Sequence, residues 1–95
     1  MLPSHRTPTH PGEILHDEFM KPSGLTQVAL ATHLGVPVQR INELVRAKRG
    51  VTPSTAWLLA GAIGTTPEFW LNLQINHDLA RARPPKKVQK LAGSA

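Results

Sequence analysis

Cysteine is absent from the 95 residues, so neither a disulfide nor a cysteine-ligated metal can hold this chain together. That absence fits a reducing compartment. No apolar run approaches the roughly 18–20 residues of a membrane span. The opening stretch, MLPSHRTPTHPGE, lacks the apolar core of a signal peptide. A soluble, cytoplasmic protein with no membrane partner is therefore expected. Aromatic residues are scarce, two Phe and two Trp, which is too few for the stacking platforms that read single-stranded RNA. Strand alternation and internal repeats are also missing.

A catalytic or metal site does not assemble either. The seven glycines are scattered at turn positions and form no phosphate-cradling loop. Ser23, Ser54 and Ser94 have no base nearby in sequence. His10 and His16, with Asp17, resemble a metal cluster on paper, but residues six apart lie across a helix and not on one face. His5, His33 and His77 are isolated. The chain is expected to be no enzyme and to carry no metal or cofactor.

The length suits one domain with a modest core. Its net charge of +5 is unevenly placed. Up to Ala80 six bases balance six acids, and the whole excess sits in Arg81, Arg83, Lys86, Lys87 and Lys90. Within the body four of the six bases fall between Arg40 and Arg49, while three of the six acids fall in Glu13–Glu18. A neutral body with one basic side suits binding to a phosphate backbone.

Turn and cap residues divide the chain into five helices. Residues 1–9 read as a flexible arm, residues 10–83 as the helical domain, and residues 84–95 as a basic, disordered tail after Pro84-Pro85. Helix 1 should open at Pro11 with Glu13 and Asp17 in its early turns, bury Ile14, Leu15 and Phe19, and end at Lys21-Pro22-Ser23-Gly24. Thr26 caps helix 2. Thr52-Pro53 opens helix 4, whose Ala56, Leu59, Ala60 and Ile63 form one core face. Thr66-Pro67-Glu68 opens helix 5, which runs to about Arg81 or Arg83. Helix 5 is apolar on more than one face, so a second surface is expected to cover it. Trp70, as its exposed aromatic, with Leu73, Ile75 and His77, is assigned to dimerisation.

The clearest signal is Thr26 to Arg46. Leu30, Ala31 and Leu34 put apolar groups on one face, Gly35 supplies a left-handed stop, and Ile41, Leu44 and Val45 restart the stripe. Two short helices with Gly at the corner are the sequence form of a helix-turn-helix, whose second helix enters the major groove of DNA. With Ile41, Leu44 and Val45 in the core, Val38, Gln39, Asn42, Glu43 and Arg46 point outward and Arg40 lies at the flank. Gln and Asn can pair with adenine, and Arg with guanine or phosphate. A solvated helix face has a similar composition, so this pattern favours DNA readout without requiring it. Pro37 takes the place of a capping hydroxyl residue and fits as a first-turn proline. The loop Ala47-Lys48-Arg49-Gly50-Val51 is basic enough to touch phosphates.

The segment from His10 to about Asn76 resembles the HigA-type antitoxins, small members of the phage-repressor-like (XRE) helix-turn-helix group. The matching pieces are His10-Pro11-Gly12-Glu13-Ile14-Leu15, Ala31-Thr32-His33-Leu34-Gly35-Val36, and Arg49-Gly50-Val51-Thr52-Pro53. The most specific block is Gly64-Thr65-Thr66-Pro67-Glu68-Phe69-Trp70-Leu71-Asn72-Leu73-Gln74. The resemblance implies an all-α, five-helix, lambda-repressor-like fold. It also implies a homodimer on a palindromic double-stranded operator, repression of the chain's own operon, and direct neutralisation of a HigB-type RNA-cleaving toxin. The DNA-reading positions that carry over are Gln27, Val38, Gln39, Arg40, Asn42 and Glu43. In that scheme Gln27, Arg40, Arg46, Lys48 and Arg49 hold phosphates while Gln39, Asn42 and Glu43 read base edges. Pro37 removes a hydroxyl, and Val38 offers only an apolar contact, for example to a thymine methyl. The alternatives are an XRE-type repressor without a toxin and a protein-interaction inhibitor with little DNA binding. The acidic face of helix 1, the arm and helix 5 are the candidate toxin-binding surfaces.

Overall fold

A computed structural model describes residues 7–92. Residues 1–6 of the expected arm and 93–95 of the expected tail, with His5 and Ser94, lie outside the described residues. Five helices follow in order, and no strand occurs among the described residues. The first, α1, is continuous through three segments, Pro11–Ile14, Leu15–Met20 and Lys21–Ser23. Then come α2 (Gln27–Leu34), α3 (Val38–Val45), α4 (Pro53–Ile63) and α5 (Pro67–Arg81). Residues 84–92 are exposed and carry no helix. None of the helices is long and apolar enough to cross a membrane.

Local chemistry explains the boundaries. Thr26, Thr52 and Thr66 stand at helix starts, and each side-chain oxygen accepts an N–H three residues on, from Ala29, Thr55 and Phe69. His10 caps α1 with a ring nitrogen instead, its Nδ1 accepting the N–H of Gly12, two residues on, at 2.9 Å. Gly35 takes a left-handed φ of 72°, which lets Val36 N–H close onto the Ala31 carbonyl. The same closure ends α3, where Lys48 N–H reaches the Glu43 carbonyl. There the left-handed residue is Ala47, at φ 59°. Pro37 is the N-cap of α3 and not its first-turn residue, since its ψ of 143° keeps it outside the helix.

The middle of α1 departs from expectation. Leu15–Met20 is π-helical, and Lys21 N–H closes onto the His16 carbonyl five residues back. In α geometry Pro22 would press its ring on the carbonyl four residues before it. The widened turn just ahead of Pro22 relieves that crowding. It also rephases the helix. Leu15 and Met20 would lie about 140° apart on an α-helix, yet both are buried here, while Ile14 and Phe19 are only partly covered.

The core joins Leu15, Met20, Leu30, Ala31, Ile41, Leu44, Val51, Ala56, Leu59, Ala60 and Trp70 from all five helices and the loop after α3. Trp70 corrects an expectation: it is fully buried, not exposed. Its Nε1–H donates to Thr65 Oγ1 at 2.7 Å, and its ring packs among Phe19 and Phe69. Leu73 is partly buried against the same core. His77 is likewise engaged at home. Its Nδ1–H donates to the Pro8 carbonyl at 2.8 Å, and its ring meets His10 edge-on at 4.9 Å. The large apolar side chains that α5 leaves uncovered are Ile75, 56% exposed, Leu79, 57%, and, less so, Phe69, 38%. The exposed tryptophan is Trp57 in α4, at 69%.

Candidate nucleic-acid interface

Two close approaches hold α3 outward. A methyl on Gly12 would overlap the Leu44 carbonyl oxygen, so the first turn of α1 lies directly on the last turn of α3. Ile41 and Leu44 are each 1% exposed, which anchors one face of α3 and turns the other to solvent. Val38, Gln39, Arg46, Lys48 and Arg49 are exposed, and Arg40, Asn42 and Glu43 are half-buried. Pro37 carries no side-chain acceptor to cap α3, and its carbonyl accepts the Arg40 N–H at 3.0 Å. All of the expected DNA-facing residues of α3 and its loop therefore keep part or all of their surface open to solvent among the described residues. Gln27 joins it from α2, since the Asn42 Nδ2–H donates to Gln27 Oε1 at 3.2 Å.

Glu43 and Arg49 are not the independent groups that spacing suggested. Arg49 follows the end of α3, but its guanidinium folds back along the helix. Its Nε–H and Nη2–H donate to Glu43 Oε1 at 3.0 and 2.8 Å. Gln39 Nε2–H donates to the other oxygen, Oε2, at 3.4 Å. The hydrogen bond from Arg49, with its positive charge, holds the Glu43 carboxyl below its ordinary range. Pro37, Gln39, Arg40, Glu43 and Arg49 together line a cleft of about 280 Å³ on the outer side of α3.

Gln74, to which the sequence assigns no role, sets the basic loop. Its Oε1 accepts the Val51 N–H at 2.7 Å, and its Nε2–H donates to Asp78 at 2.9 Å. The amide lies against Gly50, where a Cβ would come within about 3.0 Å of it. Thus α5 fixes the far end of the loop that carries Lys48 and Arg49. The only hint in the sequence is that Gln74 closes the block from Gly64, and nothing there says what it touches.

The comparisons agree with this geometry. A helix-turn-helix family model matches residues 18–70. Virulence-associated protein I of Dichelobacter nodosus is 47% identical over 78 residues, which cover 82% of this chain and 72% of that protein. Antitoxin HigA-1 of Vibrio cholerae serotype O1 is 44% identical over 80 residues, 83% of this chain and 74% of that one. Among solved structures, antitoxin GraA in complex with its operator superposes with a TM-score of 0.83 at 41% identity, covering 96% of this chain and 98% of that one.

Proposed function

The chain belongs to the helix-turn-helix family that includes the HigA antitoxins, and from this we propose that it is a DNA-binding antitoxin. It binds its own operator as a homodimer, represses its operon from the cytoplasm, and silences a HigB-type ribonuclease toxin by direct contact. The observation that carries the DNA half is the unmasked polar face of α3 with the basic loop beside it. A relative of the same fold, antitoxin GraA, is known in complex with its operator. Gln39 and Asn42 read base edges, and Val38 packs on a thymine methyl. Arg40, Arg46 and Lys48 hold phosphates, with Gln27 bracing Asn42.

Dimerisation falls to the exposed side of α5, where Ile75 and Leu79 lie four residues apart on one face. Trp70, Leu73 and His77 support that helix from within the protomer. Paired α3 helices must then sit about 34–36 Å apart to enter successive major grooves. The toxin half rests on the family, and the acidic Glu13, Asp17 and Glu18 of α1 offer a surface to a basic enzyme.

The test is a gel shift on the DNA upstream of the gene. Gln39→Ala should cost about 1–3 kcal/mol at one base pair and relax preference there. Lys48→Ala should weaken all duplexes alike and flatten the salt dependence. Identical behaviour of the two variants refutes the division of labour. For the toxin, co-expression with the adjacent reading frame should restore growth with the wild type and equally with the Gln39→Ala variant.

A further inference from the structure

We propose that Arg49 reads guanine in the operator and that Glu43 is the positioning residue that aims it, an inference resting on the DNA-binding reading above. Spacing alone puts Arg49 on a phosphate and Glu43 on a base. The hydrogen bonds argue for the reverse. A guanidinium has five N–H donors. Glu43 Oε1 takes the Nε–H and one Nη2–H of Arg49. Of the remaining three, one on Nη1 and one on Nη2 share the far edge of the group, and these two form the fork that matches guanine O6 and N7. Arg49 keeps 47% of its side chain exposed, so that edge is within reach of a ligand.

Charge points the same way. A phosphate seated against Arg49 would also lie beside the Glu43 carboxylate, which cancels much of the attraction. A base edge carries no net charge and is not repelled. Glu43, for its part, has Arg49 on one oxygen and Gln39 on the other, so its carboxylate is already engaged within the domain. The cleft that these residues line with Pro37 and Arg40 lies on the outward side of α3, which is where a base edge would be met. Arginine is a long, flexible side chain, and fixing it before contact favours one base over a general anion.

The experiment measures affinity of the full chain for its upstream DNA by fluorescence anisotropy over several salt concentrations. The probes are native duplexes and duplexes with single guanines replaced by 7-deazaguanine, which lacks the N7 acceptor. For the wild type, one replacement per half-site should weaken binding by about 5-fold, the lower end of the range for a bidentate pair because O6 remains. Arg49→Ala should lose that sensitivity while keeping the salt slope. Glu43→Gln should bind the native duplex more weakly and discriminate less against the replacement. The pair lies at the surface and outside the core, so thermal melting of each variant should match the wild type.

An Arg49→Ala chain that weakens on every duplex alike, with a salt slope smaller by about 0.9, makes Arg49 a phosphate contact and overturns the proposal. Full guanine discrimination in Glu43→Ala overturns the positioning role. A wild type that binds no duplex refutes the DNA-binding reading itself, and is told apart from these outcomes by being measured first.

Discussion

Replacing Gly12 with alanine tests the contact on which the placement of α3 depends. The added methyl overlaps the Leu44 carbonyl oxygen, and that oxygen belongs to backbone, so it cannot rotate away. The same carbonyl accepts the Ala47 N–H at the end of α3, which ties it to the basic loop. Overpacking against such a neighbour costs about 1–3 kcal/mol, with a rigid partner toward the upper end. Alanine recovers roughly 0.5–1 kcal/mol of helix propensity, leaving a net loss of about 2 kcal/mol. For a domain of this size that lowers Tm by roughly 8–16 °C. Gly61 is the control. It lies inside α4, and a Cβ there meets nothing within 4 Å. The same substitution at Gly61 should therefore raise stability by about 0.5–1 kcal/mol. Thermal melts and urea titrations of the two variants decide the matter. Shifts of the same sign, or a Gly12→Ala chain as stable as the wild type, would refute the argument from close approach.

Other expectations follow from the caps and the uncovered face of α5. Ala47→Gly removes the strain of a left-handed alanine at the end of α3 and should stabilise the chain by about 0.5–1 kcal/mol, read from the urea midpoint. Burial, and secondarily the neighbouring His77, pushes the His10 pKa below 6.5. Its Nδ1 must stay unprotonated to cap Gly12. The stability from that neutral ring is complete above about pH 6.5 and is lost as pH falls through the lower folded pKa. Tm should drop as pH falls below about 6.5, and His10→Asn, a cap that does not titrate, should flatten the profile. An unchanged profile would assign the loss to other groups. Ile75→Glu with Leu79→Glu should shift sedimentation from dimer to monomer while leaving the melting of the protomer near the wild type. A dimer that survives both places the interface elsewhere.

Much of this was open to inspection in the chain itself. Thr26, Thr52 and Thr66 each accept an N–H three residues away, and Gly35 turns the chain within one residue. Such bonds close inside a few residues, so local sequence determines them: five helices, their order, and the polar face of α3. Tertiary structure alone decided how side chains were shared among distant partners. Trp70 is aromatic on a helix with two apolar sides, and only the positions of Phe19 and Thr65 made it core. Gln74 found Val51 23 residues away, and Arg49 turned back to Glu43. Even the phase of α1 was set by a proline at its end and a core from other helices. Periodicity says which residues share a face. What that face meets depends on the packing of segments far apart in the chain, because burial and hydrogen bonding there are decided by neighbours that local sequence does not contain.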